Sequence, residues 1–385
     1  MSVTAAKGFR ASGVAAGIKI SGGLDLALVV NDGPSRAAAG MFTRNQVKAA
    51  PVLWSAQVLT GRRLRAVALN SGGANACTGP SGFQDTHVTA ERVATVLDCG
   101  SVEVAVCSTG LIGERLPMDA LLSGVDSAAA ELAATPEAGL AAATAVLTTD
   151  TVPKQAAVAG RGWMVGGFAK GAGMVAPGLA TMLCVLTTDA AVDDVTLDTV
   201  LRCATAETFE CLDIDGTCST NDTVLLLASG ASGVMPDRAE FAAAVQRVCY
   251  QLVKSLQADA EGVTKEIAIT VCGATNDADA ILAARAVARD SLVKTAFFGS
   301  DANWGRIAAA LGASAATVNA ETLDIRINGL LLCQGGTVAA DRSKADLSGR
   351  DITVEIDLHL GEGQATVLTT DLSHGYVDEN SAYSS

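Results

Sequence analysis

The stretch Lys170-Gly171-Ala172-Gly173-Met174-Val175-Ala176-Pro177-Gly178-Leu179-Ala180-Thr181-Met182-Leu183-Cys184 lies just short of the middle of the chain. It sets three glycines, a proline, one lysine and one threonine between two apolar runs. Its first half, Gly171-Ala172-Gly173-Met174-Val175-Ala176, matches G-x-G-x-x-A, follows the strand-like run Trp163–Gly167 and precedes Asp189 at the end of a second apolar run. A dinucleotide-binding fold uses such glycines to turn into a helix of several turns. Here Pro177-Gly178 falls inside the required first turns, and both residues break helices. The fingerprint alone is weak, so a dinucleotide-binding protein stands as the competing reading from a different functional class.

A second chemistry accommodates the helix breakers. A Pro-Gly kink a few residues before a strand can hold one peptide bond in a tight turn, with the Thr181 hydroxyl beside the Ala180 carbonyl. Attack by that hydroxyl converts the amide to an ester, and hydrolysis then leaves Thr181 as a new N-terminus. Its α-amine, with an ordinary pKa of about 7.7–8.0, is able to act as general base for its own hydroxyl. Such a nucleophile needs no histidine, and the chain has only His87, His359 and His374, in no metalloprotease pattern. These three read as structural or surface residues. An Ala-Thr step is, by itself, also an ordinary way for a strand to begin.

Composition narrows the class. The 385 residues suffice for a substantial core, arranged as two domains or one large layered unit. A formal charge of −14 argues against general affinity for nucleic acid or an anionic membrane, so a small anionic substrate needs a local cation. The ten cysteines are scattered, mostly among apolar neighbours, with no C-x-x-C pair and no histidine near Cys211 and Cys218 to complete a zinc site. Reduced, buried thiols and no bound metal or cofactor are expected. The first residues hold no long apolar segment and no run of about 18 apolar residues occurs, which predicts a cytoplasmic protein without membrane attachment.

Outward from the central stretch, short apolar runs alternate with turn residues. Leu26–Val30 ends in Asn31-Asp32-Gly33-Pro34, Leu64–Leu69 in Asn70-Ser71-Gly72-Gly73-Ala74-Asn75, and Val102–Cys107 in Ser108-Thr109-Gly110. Polar loops at strand ends are favoured places for a site. Met182–Leu186, Val224–Ala228, Glu266–Cys272, Ile352–Leu358 and Ala365–Leu368 read as further strands. Met118–Ala134, Ala138–Leu147, Val195–Phe209, Ala239–Leu256 and Asp277–Val293 read as helices. The blocks follow no regular βαβ rhythm, so layered sheets with helices outside are expected. Asp213, Asp215 and Asp222 lack the spacing of a calcium loop and read as turn and strand-end residues.

The central stretch resembles the self-cleavage signature of the ornithine acetyltransferase (glutamate N-acetyltransferase) family. So, in order, do Phe42-Thr43-Arg44-Asn45, Asn70–Ala76, Cys107–Gly113, Thr148-Thr149-Asp150-Thr151, Gln257–Lys265, Gly299-Ser300-Asp301 with Asn303–Arg306, and Asn380–Ser385. The resemblance covers nearly the whole chain. It implies an α/β fold of the layered α-β-β-α sandwich type found in aminopeptidases and ornithine acetyltransferases, in a self-cleaving N-terminal-nucleophile enzyme. It further implies cleavage between Ala180 and Thr181 into chains 1–180 and 181–385 that form one intertwined unit, with two copies of each. Thr181 is then the catalytic nucleophile of a ping-pong transfer from N-acetylornithine to glutamate, and Thr109 and Gly110 form the oxyanion hole. Thr148, Lys170, Thr181, Glu261, Asn380 and Ser385 match the substrate-contact positions. By composition alone, Asp378–Ser385 reads as a polar tail. The resemblance leaves open a bifunctional form that also takes acetyl from acetyl-CoA; a related self-processing aminopeptidase or amidase is the alternative within catalysis.

Overall fold

The computed structural model describes residues 2–176 and 182–382, and divides into two compact units. The first comprises Met1–Glu210 with Thr217–Leu256, the second Cys211–Gly216 with Gln257–Ser384.

Two sheets build the first unit. Strands β1 (Phe9–Val14), β2 (Leu26–Asn31), β3 (Ala37–Phe42), β4 (Ala66–Asn70), β5 (Val104–Ser108), β6 (Lys154–Ala159), β7 (Met164–Lys170), β8 (Leu183–Thr188) and β9 (Thr223–Ala228) follow one another along the chain. They assort as a four-stranded sheet in the order β1-β2-β4-β5 and a five-stranded sheet in the order β3-β9-β8-β7-β6. β2, β4, β5, β8 and β9 are buried along their whole length. A strand reads as a continuous apolar run when both faces of its sheet are covered. One core holds Phe9, Leu28 and Val67 of the first sheet together with Phe168, Leu183, Val185, Leu225 and Leu227 of the second. The two sheets therefore pack face to face.

Helices cover the outer faces. Gly79–Leu97, Met118–Ala130 and Pro136–Ala145 lie on the four-stranded sheet, and Asp194–Ala206 lies on β3 and β9. On the helix Arg238–Ala258, Cys249 sits close to Cys184, whose side chain alternates away from the inter-sheet core. This is the expected α-β-β-α sandwich.

The second unit carries one six-stranded sheet of β10 (Glu266–Ala274), β11 (Asp324–Ile327), β12 (Leu330–Gln334), β13 (Thr337–Val338), β14 (Asp351–Asp357) and β15 (Gly363–Thr370), in the order β13-β12-β11-β14-β10-β15. β14 alternates exposed and buried residues, and the apolar side packs with residues of the helices Asp277–Arg289, Ser291–Phe298 and Trp304–Gly312. One face of the sheet is thus dressed by helices.

Most predicted elements stand within a few residues, with corrections, and the helices Ala50–Val58 and Trp304–Gly312 stand where none was expected. The helix expected over Asp277–Val293 breaks at Asp290, whose carboxylate caps a new helix by accepting from the Val293 N–H at 2.9 Å. The segment Gly79–Leu97 is a helix of 19 residues where no element was expected. The described part of the C-terminal tail is the helix His374–Ala382 rather than a frayed end. Cys77 and Cys203 are exposed, against the expectation of buried thiols, whereas Cys107, Cys184, Cys249 and Cys333 are buried. Among the described residues no helix is long and apolar enough to cross a membrane.

Candidate active site

In the first unit the strand ends converge. β4 and β5 are parallel and pair Asn70 with Ser108 at their C-terminal ends. In the other sheet Lys170, the last residue of β7, pairs with Leu183 of β8, which pairs with Thr223 of β9. A polar network joins these ends. The Ser108 hydroxyl donates to Asn70 Oδ1 at 2.6 Å, and the Thr109 N–H donates to the Asn70 carbonyl at 3.0 Å. Asn221 Nδ2 donates to the carbonyls of Ala74 and Ser108 at 2.6 and 2.8 Å. The loops after β4 and β5 are thereby held together without exposing their backbone to water.

Gly110 is glycine for two reasons. Its φ is +127°, and a Cβ would lie 2.6 Å from Gly72 C and Gly73 N. Its N–H has no acceptor among the described residues.

Lys170 is buried, and its Nζ donates to Thr109 Oγ1 at 3.0 Å. Burial pulls its pKa below the ordinary lysine value; the Asp150 carboxylate opposes that shift and the Lys154 ammonium reinforces it. Asp150 is itself buried. Burial alone would raise its pKa, but Lys170, Lys154 and the Gly171 N–H hold it below the usual carboxylate range. Asp222, directly before β9, accepts from the Met182 N–H at 3.2 Å. Burial, with the nearby Cys218, pushes the Asp222 pKa well above the usual carboxylate range.

In the second unit, Glu261 Oε2 accepts from Asn380 Nδ2 at 2.8 Å. The helix His374–Ala382 comes so close that a Cβ on Gly262 would lie 2.1 Å from the Tyr376 nitrogen. The Tyr376 hydroxyl donates to Asp215 Oδ2 at 3.3 Å; burial and then Asp215 and Glu261 raise its pKa. Burial, followed by the charges of Glu261 and Asp259, raises that of Glu379.

Of the residues singled out from sequence, Thr109, Gly110 and Lys170 thus gather in the first unit, with Thr148 tied to Asp150 through its N–H at 3.2 Å. Glu261 and Asn380 meet in the second. Ala180, Thr181 and Ser385 lie outside the described residues. Asp150, Lys154, Asn221 and Asp222 were not picked out as site residues. The only hint of Asp150 is its place among three threonines, Thr148, Thr149 and Thr151, and nothing local marks the others. The G-x-G-x-x-A reading does not survive: Lys170 closes a strand, and the described part of the following segment, up to Ala176, contains no helix.

The sequence profile of the ArgJ family matches residues 10–385. The chain belongs to the ArgJ family. Among its relatives, the arginine biosynthesis bifunctional protein ArgJ of Mycolicibacterium paratuberculosis is 63% identical over 389 residues, covering 100% of this chain and 96% of the relative. The protein of the same name from Thermobifida fusca is 56% identical over 384 residues and covers 100% of both chains. Among solved structures, a chain of the Mycobacterium tuberculosis ornithine acetyltransferase complexed with ornithine is 63% identical, covering 47% of this chain and 96% of that one, with a TM-score of 0.46.

Proposed function

We propose that this ArgJ-family acetyltransferase of arginine biosynthesis cuts itself between Ala180 and Thr181 and uses the freed Thr181 to carry acetyl from N-acetylornithine to glutamate. The observation that carries the reading is the bond from Lys170 Nζ to Thr109 Oγ1 at 3.0 Å. An ammonium only donates, so Thr109 is the acceptor there and its own proton is free to serve another oxygen. A hydroxyl donor next to the unclaimed Gly110 N–H is the pair an acetyl oxyanion needs.

In the first half-reaction the Thr181 hydroxyl attacks the acetyl carbonyl, and the α-amine of the same residue takes the hydroxyl proton. Thr109 and Gly110 stabilise the oxygen as it becomes negative. Collapse breaks the amide bond, the proton passes to the leaving amine, and ornithine departs from acetyl-Thr181. The amine of glutamate then attacks the ester, and N-acetylglutamate leaves with Thr181 restored. Lys170 supplies the cation for a substrate carboxylate, with Thr148 and Ser385 as further contacts. Glu261, held by Asn380 and set among Asp259 and Glu379, suits the side-chain ammonium of ornithine. In the precursor the Thr181 hydroxyl attacks the Ala180 carbonyl, the Thr181 nitrogen leaves as the free α-amine, and water hydrolyses the resulting ester to complete the cleavage. The chains 1–180 and 181–385 then make one intertwined unit, two of each per assembly, in the cytoplasm.

Intact mass tests the reading. The wild type should yield fragments 1–180 and 181–385, while Thr181→Ala should remain one inactive chain of 385 residues. A single full-length band in active wild-type protein would sink it. Acetyl release that proceeds equally well without glutamate would favour an amidase instead. A second donor, acetyl-CoA, takes its support from the word bifunctional in the relatives' names; transfer of labelled acetyl from acetyl-CoA to glutamate tests it.

A further inference from the structure

We propose that Asp150 and Lys154 are positioning residues for the transfer reaction: one buried carboxylate, shared between two lysines, aligns Lys170 and Thr148 and sets the charge that Lys170 offers to substrate. The inference rests on the role given to Lys170 above.

The geometry is specific. Asp150 Oδ1 accepts from Lys154 Nζ at 2.6 Å and from the Gly171 N–H at 2.6 Å, while Oδ2 accepts from the Thr148 N–H at 3.2 Å. The carboxylate therefore grips the backbone on the C-terminal side of Lys170 and the backbone of Thr148 together. The Asp150 and Lys154 side chains are 0% and 1% exposed. A fold rarely benefits from such a pair: apolar residues of similar volume are commonly as stable or more so.

The arrangement makes sense as a charge device. Among the described residues, the charged groups acting on Lys170 include Asp150, Lys154, Asp222 and Lys19. Burial raises the Asp222 pKa, with Cys218 beside it. Lys19 is half-buried and faces Asp25 and Asp150, with burial pulling its pKa down. Lys154 and Lys170 both act on the Asp150 carboxylate. By competing for that carboxylate, Lys154 keeps Asp150 from neutralising Lys170 outright.

The test is the pH dependence of kcat/KM for the purified, processed enzyme with N-acetylornithine and glutamate. Activity should fall on the basic side as Lys170 loses its proton. Asp150→Asn removes the anion that favours charged Lys170, so this basic limb should move to lower pH, by about one unit or more. Lys154→Met removes the opposing cation, so the limb should move to higher pH. Limbs that stay in place, or that move in the same direction in both variants, would overturn the proposal. Should Asp150→Asn fail to fold, the direction of the shift in Lys154→Met decides by itself. Lys170→Arg separates the two readings: loss of the basic limb supports Lys170 as its source, whereas a limb that persists at the wild-type position removes Lys170 from its role and the inference with it.

Discussion

Lys170 Nζ and Thr109 Oγ1 lie 3.0 Å apart and join the last residue of one sheet's strand to the first residue beyond a strand of the other. The bond fixes the Thr109 hydroxyl as an acceptor toward Lys170 and so frees its proton. Thr109→Val, which keeps the shape and removes the hydroxyl, should lower kcat by about a hundredfold to a thousandfold. Thr109→Ser should restore most of that loss. Steady-state kinetics with N-acetylornithine and glutamate decide the matter, and an unchanged kcat in the valine variant would exclude Thr109 from the oxyanion hole.

Gly110 meets backbone where a side chain would begin. Gly110→Ala must shift the loop against Gly72 and Gly73, at a cost of roughly 1–3 kcal/mol in stability. It should also misdirect the N–H, so kcat should fall further than a loss of stability explains. Thermal unfolding and kcat measured on the same preparation separate the two effects.

The contact between Glu261 and Asn380 predicts a split between half-reactions. Glu261→Gln should slow acetylation by N-acetylornithine by about 10- to 100-fold, the worth of a hydrogen bond to a charged group. Transfer from acetyl-Thr181 to glutamate should suffer less. Single-turnover measurement of each half-reaction is the check, and equal losses would remove Glu261 from ornithine recognition. Deleting residues 380–385 should raise KM for N-acetylornithine sharply, and an unchanged KM would return the tail to a passive role.

Lys294 tests the second unit. Its buried Nζ donates to the Ile214 carbonyl at 2.8 Å, to Thr369 Oγ1 at 3.0 Å and to the Thr370 carbonyl. Burial lowers its pKa from 10.5 to about 8, against the pull of Asp213, Asp215 and Asp371. Below pH 8 the group is charged whether folded or unfolded. Between pH 8 and 10.5 the unfolded chain holds more of the proton, so the contribution of Lys294 to stability rises with pH across that window. The unfolding free energy of wild type relative to Lys294→Met should rise there by on the order of 3 kcal/mol. Denaturant titrations at both ends of the window measure it, and a constant difference would contradict the shift.

The apolar runs Leu26–Val30 and Val224–Ala228 were legible as strands because burial on both faces leaves no polar position to blur them. The helix Gly79–Leu97 was not. Its buried face consists of Gly82, Asp85, Thr86, Thr89, Ala90, Val93 and Ala94, so small and polar residues hide the helical period. Asp85 is tolerated there because Arg115, distant in sequence, pairs with it. The C-terminal helix was missed for a related reason: its residues are polar, and contacts around Gly262 and Glu261 hold it in place.

The order of residues determined by itself where many of the strands run, that no helix of several turns starts at Gly171, and which short motifs stand at strand ends. These depend on local backbone preference and on the spacing of apolar side chains. Only the tertiary structure decided that Lys170 reaches Thr109, that Asp150 serves two lysines, and that burial raises the Asp222 pKa. Each of those depends on burial and on partners many residues away, and the charge state of a buried group is set by the neighbours the fold places around it.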